Sequence, residues 1–115
     1  MDDVPDVVQN SWGVNENFTG YDDCDSRWWD AIDNCEASGV VLTWSAGNEG
    51  PSCETIAEPP ARYDNVFSVG ATAEGGLITG FSSRGPVPEN SADGANGHSP
   101  LLKPDIIAPG ANVRS

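Results

Sequence analysis

The sequence predicts an α/β domain built on a mainly parallel sheet. Short apolar stretches alternate with glycine- and proline-rich turns, and one amphipathic segment lies between two of these stretches. A strand, a helix and a second strand over residues 5–44 form a βαβ unit, whose crossover should be right-handed. The length of 115 residues corresponds to one domain, so the expectation is a single domain over residues 1–115.

The first strand is predicted over residues 5–11, and it ends at the turn-like Ser11-Trp12-Gly13. A helix is expected to follow over residues 25–38, with Asp25 or Ser26 as its N-cap and Gly39 as its stop. One face of this helix is apolar at helical spacing, through Trp28, Ala31, Ile32 and Cys35. A different face carries Trp29, Asp33 and Glu36.

Three further apolar stretches complete the predicted sheet. Residues 40–44 are apolar on both sides, which is typical of a parallel strand covered on both faces. Residues 66–70 predict the next strand, and residues 71–79 predict a hairpin around a glycine-rich turn. Residues 106–108 form a last short strand before Pro109-Gly110.

The charge balance argues against two classes of partner. Five Lys and Arg residues against 18 Asp and Glu give a formal net charge of −13, which repels phosphate backbones and anionic lipid surfaces. We therefore expect no nucleic-acid partner and no membrane partner. The chain has no apolar stretch long enough to span a bilayer, and because residues 1–5 are acidic and lack a hydrophobic region, no signal peptide is expected there.

Four segments in chain order carry a family resemblance. They read V-L-T-W-S-A-G-N-E-G-P (41–51), V-F-S-V-G-A-T (66–72), F-S-S-R-G-P (81–86) and K-P-D-I-I-A-P-G-A-N-V-R-S (103–115). Together they resemble the subtilisin-like serine proteases (subtilases, peptidase family S8), with the nearest likeness to the bacillopeptidase F branch. The resemblance covers essentially the whole chain. It implies a truncated, partial subtilase fold: a parallel sheet between helices in three layers, forming the central part of a catalytic domain.

The resemblance gives Asn48 a catalytic role. In this family the asparagine of the A-G-N-x-G stretch donates its side-chain amide to the oxyanion that forms when serine attacks a peptide carbonyl. A fixed strand end holds such a donor better than a mobile loop. The residues alone leave a second interpretation open, in which Asn48 only tolerates the left-handed backbone of a turn.

The resemblance also implies three substrate-binding segments. Ser11-Trp12-Gly13 matches an edge segment that pairs with the substrate backbone as an added strand, and Ser45-Ala46-Gly47 matches the opposite wall of the primary specificity pocket. Glu58 falls at the base of that pocket, where a carboxylate would favour basic substrate side chains. Trp12 as a core aromatic and Glu58 as a solvated loop charge stay open as alternatives.

The catalytic triad is missing from these residues. The family's D-x-G, H-G-T-H and G-T-S-M-A motifs do not occur, and the single histidine, His98, lies in a polar loop that matches none of them. The chain alone is therefore expected to be inactive, and the intact protein is expected to be a serine endopeptidase acting on polypeptides through an acyl-enzyme. The alternative is a non-catalytic peptide-binding or remnant module without hydrolase activity.

No cofactor is expected to be required. The acidic stretch 22–25 could hold calcium, but it lacks the calcium-loop pattern and is better interpreted as a solvated loop. The resemblance implies a weak structural site for calcium or another cation, made of backbone carbonyls near Ala61, Tyr63 and Val66.

Three cysteines leave at least one thiol unpaired. Cys35 suits the apolar helix face, so a disulfide, if one forms, is expected between Cys24 and Cys53, as would suit a secreted, extracellular parent protein. A piece taken from a larger sheet also exposes strand edges, so we expect dimerisation through them or marginal stability.

Overall fold

The computed structural model describes residues 4–14, 17, 20–21, 25–88 and 101–114. In chain order its elements are β1 (Val7–Asn10), α1 (Trp29–Ala37), β2 (Val41–Ser45), β3 (Phe67–Thr72) and β4 (Ile106–Pro109). Within this part of the chain the strands form one four-stranded sheet in the order β1-β2-β3-β4, and every neighbouring pair is parallel. The predicted α/β class and parallel sheet are confirmed.

The core lies between α1 and one face of the sheet. In β2 the side chains of Leu42 and Trp44 are buried on this face, and Ile32 is the buried residue of α1. Residues from the loops complete the core: Val40, Ala46, Ile56, Ala61, Tyr63, Val66 and Val87. Burying a large aliphatic or aromatic side chain contributes about 1.5–3 kcal/mol, so this layer supplies much of the stability that holds the strand ends in place.

The opposite face of the sheet is open among the described residues. The strand register places Val7, Val41, Phe67 and Ile106 on this face, and between 41% and 57% of each is exposed. The sequence predicted that residues 40–44 would be covered on both sides. In the described part of the chain, helical cover lies on one side only. The free edges of β1 and β4 are the surfaces on which the expected dimerisation depends, and dimerisation stays a prediction.

The helix begins later than the sequence indicated. Trp28 occupies the N-cap position without a side-chain cap, and α1 starts at Trp29. The N-cap prediction at Asp25 or Ser26 is wrong, because the Asp25 carboxylate instead accepts hydrogen bonds from the backbone and side chain of Arg27 in the turn before the helix. The predicted stop is confirmed: Ser38 is the C-cap and Gly39 follows at φ +94°, a left-handed conformation that suits glycine.

The helix faces also differ from the prediction. Ile32 is buried and Trp28 and Cys35 are half-buried, as expected, but Ala31 is exposed. Trp29, which the spacing assigned to another face, packs against the core with its ring 5.3 Å from the ring of Tyr63. Trp29 therefore packs toward the loop that contains Tyr63, a contact that the spacing within the helix could not show.

The segment after β3 forms the predicted hairpin. Thr72 and Ile78 form an antiparallel bridge, and the backbone N–H of Ala73 donates to the carbonyl of Leu77 at 2.8 Å. The N–H of Gly76 donates to the Ala73 carbonyl and closes the turn at 3.1 Å. The returning arm pairs with the last two residues of β3: Thr72 forms the bridge to Ile78, and the Ala71 carbonyl accepts the N–H of Thr79 at 2.9 Å.

A buried lysine fastens β4 to β3. The Lys103 ammonium donates to the Val66 carbonyl at 2.5 Å and to the Asp105 carboxylate at 2.8 and 3.0 Å. The same carboxylate accepts the backbone N–H of Ser68 at 2.6 Å and its hydroxyl at 3.0 Å. Partial burial by itself would raise the pKa of Asp105, but the hydrogen bonds from Lys103 and Ser68 outweigh it and lower the pKa below its ordinary value.

Cys35 is a half-buried free thiol and Cys53 an exposed one. The sequence named Cys24 and Cys53 as the pair only if a disulfide forms, and the thiol of Cys53 is free in this structure. Cys24 itself, the acidic residues 22–23 and His98 lie outside the described residues. No helix in the described ranges is long and apolar enough to cross a membrane.

Candidate functional site

The carboxyl ends of all four strands meet at one edge of the sheet, because every pairing is parallel. A groove of about 560 Å³ reaches this edge from the open face. Five of the residues predicted to form the site line it: Ser11, Ser45, Ala46, Gly47 and Asn48. Its lining also includes residues with no predicted role, among them Phe81, Ser82, Ala108, Pro109 and Gly110.

Asn48 is exposed in the loop directly after β2. The chain changes direction at Gly47, which has φ +103°, and then presents Asn48 at the groove. The backbone N–H of Asn48 donates to Glu49 Oε2 at 2.7 Å. Within the described ranges no hydrogen bond engages its side-chain amide. The backbone of Asn48 is therefore held while its amide is available to a ligand in the groove.

The loop that carries Asn48 is held against the F-S-S-R-G-P segment. The N–H of Ser83 donates to the Gly47 carbonyl at 3.1 Å, and the N–H of Gly50 donates to the Phe81 carbonyl at 2.9 Å. The Ser83 hydroxyl donates to Glu49 Oε2 at 2.7 Å and accepts from the Glu49 N–H at 3.0 Å. Sequence reasoning assigned no role to Ser83 or Glu49, although both lie within the segments that carry the family resemblance.

The 11–13 segment divides between two environments. Ser11 lines the groove and accepts a hydrogen bond from Gln9 Nε2 at 2.5 Å. Trp12 and Gly13 are not part of the groove lining. They extend past Asn10, the last residue of β1 that pairs with β2.

Trp12 is 43% exposed. This exposure excludes the alternative interpretation of the sequence, in which Trp12 is a core aromatic. Its ring makes edge-to-face contacts with Trp28 at 6.0 Å and Trp44 at 5.8 Å, and its Nε1 donates to Asn10 Oδ1 at 3.1 Å. Edge-to-face pairs at these distances are favourable aromatic arrangements. These contacts hold the backbone on either side of Trp12 in a fixed path.

Glu58 lies beside the 11–13 segment. A Cβ added to Gly13 would be 2.9 Å from Glu58 Oε2, so the half-buried carboxylate approaches the Gly13 backbone closely. The N–H of Val14 donates to the Pro59 carbonyl at 3.0 Å and joins the two segments. Arg62, 1% exposed, donates to the Ala57 carbonyl at 2.7 Å and so fixes the loop on the other side of Glu58.

The structure gives little support to a metal centre in the described part of the chain. No group of three or more His, Cys, Asp or Glu residues there could hold a metal ion. Of the backbone carbonyls expected to bind a cation, that of Val66 accepts a hydrogen bond from Lys103, and that of Tyr63 accepts the N–H of Val66. The buried ammonium makes the Val66 carbonyl a poor ligand for a second cation, so the residues present do not fit that site.

The fold and the groove define a class of protein. Ligands of parallel α/β sheets bind at the carboxyl ends of the strands, and here that edge presents a held backbone with an available amide. A comparison of the sequence with known protein families identifies one of them: the sequence profile of the Subtilase family, peptidase family S8, matches residues 1–115. The chain therefore belongs to the subtilase family of serine proteases, and the predicted resemblance is confirmed.

Individual relatives agree with this membership. The chain is 35% identical to bacillopeptidase F of Bacillus subtilis (strain 168), over 97% of this chain and 7% of that protein. It is 34% identical to serine protease AprX of the same organism, over 74% of this chain and 18% of that protein. A solved structure, the S41 psychrophilic protease, matches with a TM-score of 0.58 and 28% identity, over 91% of this chain and 32% of that chain. The chain thus spans well under half the length of each.

Proposed function

We propose that the protein containing these residues is a serine endopeptidase in which Asn48 donates to the oxyanion of the tetrahedral intermediates. A serine supplied by the rest of the protein attacks the peptide carbonyl, and the carbonyl oxygen gains negative charge as the new bond forms. The Asn48 amide stabilises that charge, first during acylation and again when water attacks the acyl-enzyme. The substrate is a polypeptide, and the chemistry requires no cofactor.

One observation supports this proposal most directly: Asn48 combines a held backbone with an unengaged side chain. Its loop is tied to the 81–83 segment by backbone hydrogen bonds of 2.9 and 3.1 Å, and its own N–H is bound at 2.7 Å. A donor is effective when it is already oriented toward the place where charge develops, because no reorganisation is then needed during the reaction. A mere turn residue would not need to face a groove of about 560 Å³.

The substrate backbone is proposed to add as a strand along Ser11-Trp12-Gly13, opposite the Ser45-Ala46-Gly47 wall. The parallel pairing of β1 with β2 ends at Asn10 and Trp44, so Trp12 and Gly13 extend past the paired part of the sheet. An extended peptide can hydrogen-bond to such a segment through its main chain. At both glycines the place of a side chain is taken by the protein's own groups, by Glu58 at Gly13 and by Glu49 with Ser83 at Gly47.

Glu58 is proposed to select a basic side chain before the cleaved bond. Its carboxylate lies against Gly13, within the segment on which the substrate would align. A guanidinium or ammonium that enters beside Gly13 would form a charge-assisted hydrogen bond there. As a further part of the proposal, the parent protein acts outside the cell, a location that family membership supports and that cell fractionation would test.

Replacing the amide of Asn48 tests the catalytic role in the full-length protein. For Asn48→Ala we expect kcat to fall by about 10²–10³-fold, a magnitude known from the loss of an oxyanion-hole donor in subtilisin, a member of this family, and not worked out from this structure. The matched control is Asn34→Ala, which removes an exposed amide on α1 and should leave kcat unchanged. Turnover of a peptide substrate by the two variants is compared at saturating substrate.

Two results would contradict the proposal. A kcat for Asn48→Ala equal to that of Asn34→Ala would exclude Asn48 as an oxyanion donor. Peptide binding to the unaltered protein without any measurable hydrolysis would favour the alternative, a non-catalytic peptide-binding module that uses the same groove.

A further inference from the structure

The loop after β2 contains a closed set of hydrogen bonds around Ser83. The Ser83 hydroxyl donates to Glu49 Oε2 at 2.7 Å and accepts the N–H of Glu49 at 3.0 Å. The same Glu49 oxygen accepts the N–H of Asn48 at 2.7 Å. Ser83 is completely buried, although its partner Glu49 is on the surface. One buried hydroxyl therefore connects the interior of the protein to the backbone of Asn48 through a single carboxylate oxygen.

The packing around Gly47 reinforces this set of bonds. A Cβ at Gly47 would overlap Glu49 Oε2 and would lie 2.8 Å from Ser83 Oγ, so both groups rest against the Gly47 backbone. The N–H of Ser83 also donates to the Gly47 carbonyl at 3.1 Å. Residues on both sides of Asn48 are thus fixed to Ser83.

These hydrogen bonds restrict the directions in which the Asn48 side chain can point. The loop that carries Asn48 belongs to no helix or strand, so without other contacts its N–Cα bond could rotate and swing the side chain. The hydrogen bond to Glu49 Oε2 restricts that rotation at the Asn48 nitrogen itself. The acceptor oxygen is held in turn by the buried Ser83 hydroxyl, which cannot exchange its partners for water.

We propose that Glu49 and Ser83 are positioning residues, which orient the Asn48 amide toward the oxyanion through the hydrogen bond to its backbone N–H. This inference rests on the proposed function, because it assumes that Asn48 is the oxyanion donor. Glu49 acts through hydrogen-bond geometry and not through its charge, since a negative charge beside a developing alkoxide would oppose the reaction. A neutral side chain with an acceptor oxygen in the same place can therefore accept the same two hydrogen bonds and orient Asn48 equally well.

The test compares Glu49→Ala, Glu49→Gln and Ser83→Ala in the full-length protein. Glu49→Ala and Ser83→Ala should lower kcat about tenfold to a hundredfold and change KM by less than about threefold, because a misdirected donor weakens transition-state binding and leaves substrate binding largely intact. Glu49→Gln keeps an oxygen that can accept both hydrogen bonds, so it should restore most of the kcat that Glu49→Ala loses.

A double variant shows whether the effect passes through Asn48. If it does, adding Glu49→Ala to Asn48→Ala should lower kcat by no more than about twofold further, because the amide to be oriented is already gone. In ¹⁵N relaxation measurements, the Asn48 side-chain NH₂ should be more mobile in Glu49→Ala than in the unaltered protein, and again ordered in Glu49→Gln.

Each contrary result has a distinct meaning. Normal kcat in Glu49→Ala and Ser83→Ala, together with a low kcat in Asn48→Ala, would overturn the positioning role and leave the proposed function standing. A normal kcat in Asn48→Ala would overturn the proposed function and the inference with it. A raised KM with unchanged kcat in Glu49→Ala would show that Glu49 contacts the substrate instead. If Ser83→Ala does not fold, the two Glu49 variants decide alone, because Glu49 is exposed.

Discussion

The carboxylate of Glu58 and the backbone of Gly13 are in close contact: a Cβ at residue 13 would be 2.9 Å from Glu58 Oε2. The hydrogen bond from the Val14 N–H to the Pro59 carbonyl, at 3.0 Å, holds the two segments together. A negative charge is thus fixed next to the segment along which the substrate is proposed to align. The preference for basic side chains depends on this contact.

Neutralising that carboxylate should weaken the preference. For Glu58→Gln in the full-length protein, we expect the ratio of kcat/KM for an arginine substrate to that for a matched phenylalanine substrate to fall about tenfold or more, since a hydrogen bond to a charged group contributes about 1.5–3 kcal/mol. Glu74→Gln, at the exposed tip of the hairpin, is the control and should leave the ratio unchanged. Equal or better cleavage after phenylalanine by the unaltered protein would end the hypothesis.

The Lys103–Asp105 pair predicts how stability changes with acid. The pKa of Asp105 is lowered from its ordinary value of 3.8 in the folded protein, so the ionised carboxylate favours folding. This contribution is fully present above pH 3.8 and is lost as the pH falls further and the carboxylate takes up a proton. Urea unfolding between pH 7 and pH 2 should show Asp105→Asn less stable than the unaltered protein at neutral pH, with the difference shrinking below the ordinary pKa.

The exposed Asp64 provides the control for this experiment, because it forms no hydrogen bond or ion pair within the described ranges. Asp64→Asn should leave the free energy of unfolding at neutral pH close to that of the unaltered protein. A stability difference for Asp105→Asn that stays constant down to pH 2 would show that protonation of Asp105 does not weaken the fold.

The close packing behind the Asn48 loop predicts that alanine lowers the free energy of unfolding at Gly50 and not at Gly80. In Gly50→Ala the new Cβ would overlap the Ser82 carbonyl oxygen and lie 2.9 Å from the Gly80 carbonyl oxygen, whereas in Gly80→Ala it would have no neighbour within 4 Å. Backbone atoms cannot rotate away, so we expect Gly50→Ala to lower the free energy of unfolding by about 1–3 kcal/mol, as overpacking typically does. Urea titration of both variants measures the difference. Equal stability of the two would mean that the loop shifts freely, which the positioning role does not allow.

Much of the fold could be predicted from local patterns. The strands, the hairpin turn and the stop at Gly39 follow from short apolar stretches and from the turn residues that bound them, and both signals act over a few neighbouring positions. The start of the helix could not be predicted in this way. Asp25 had a local alternative, a hydrogen-bonded turn with Arg27, and sequence patterns do not decide between two local uses of the same carboxylate.

The sequence by itself determined the parallel α/β framework, the family, and the position of Asn48 directly after a core strand. Only the tertiary structure showed what surrounds that residue. Ser83 bonds to Glu49 across 34 positions of sequence, and Glu58 reaches Gly13 from a loop in another part of the chain. Such contacts form where separate segments pack against one sheet edge, and their geometry depends on the whole core, which no local pattern contains.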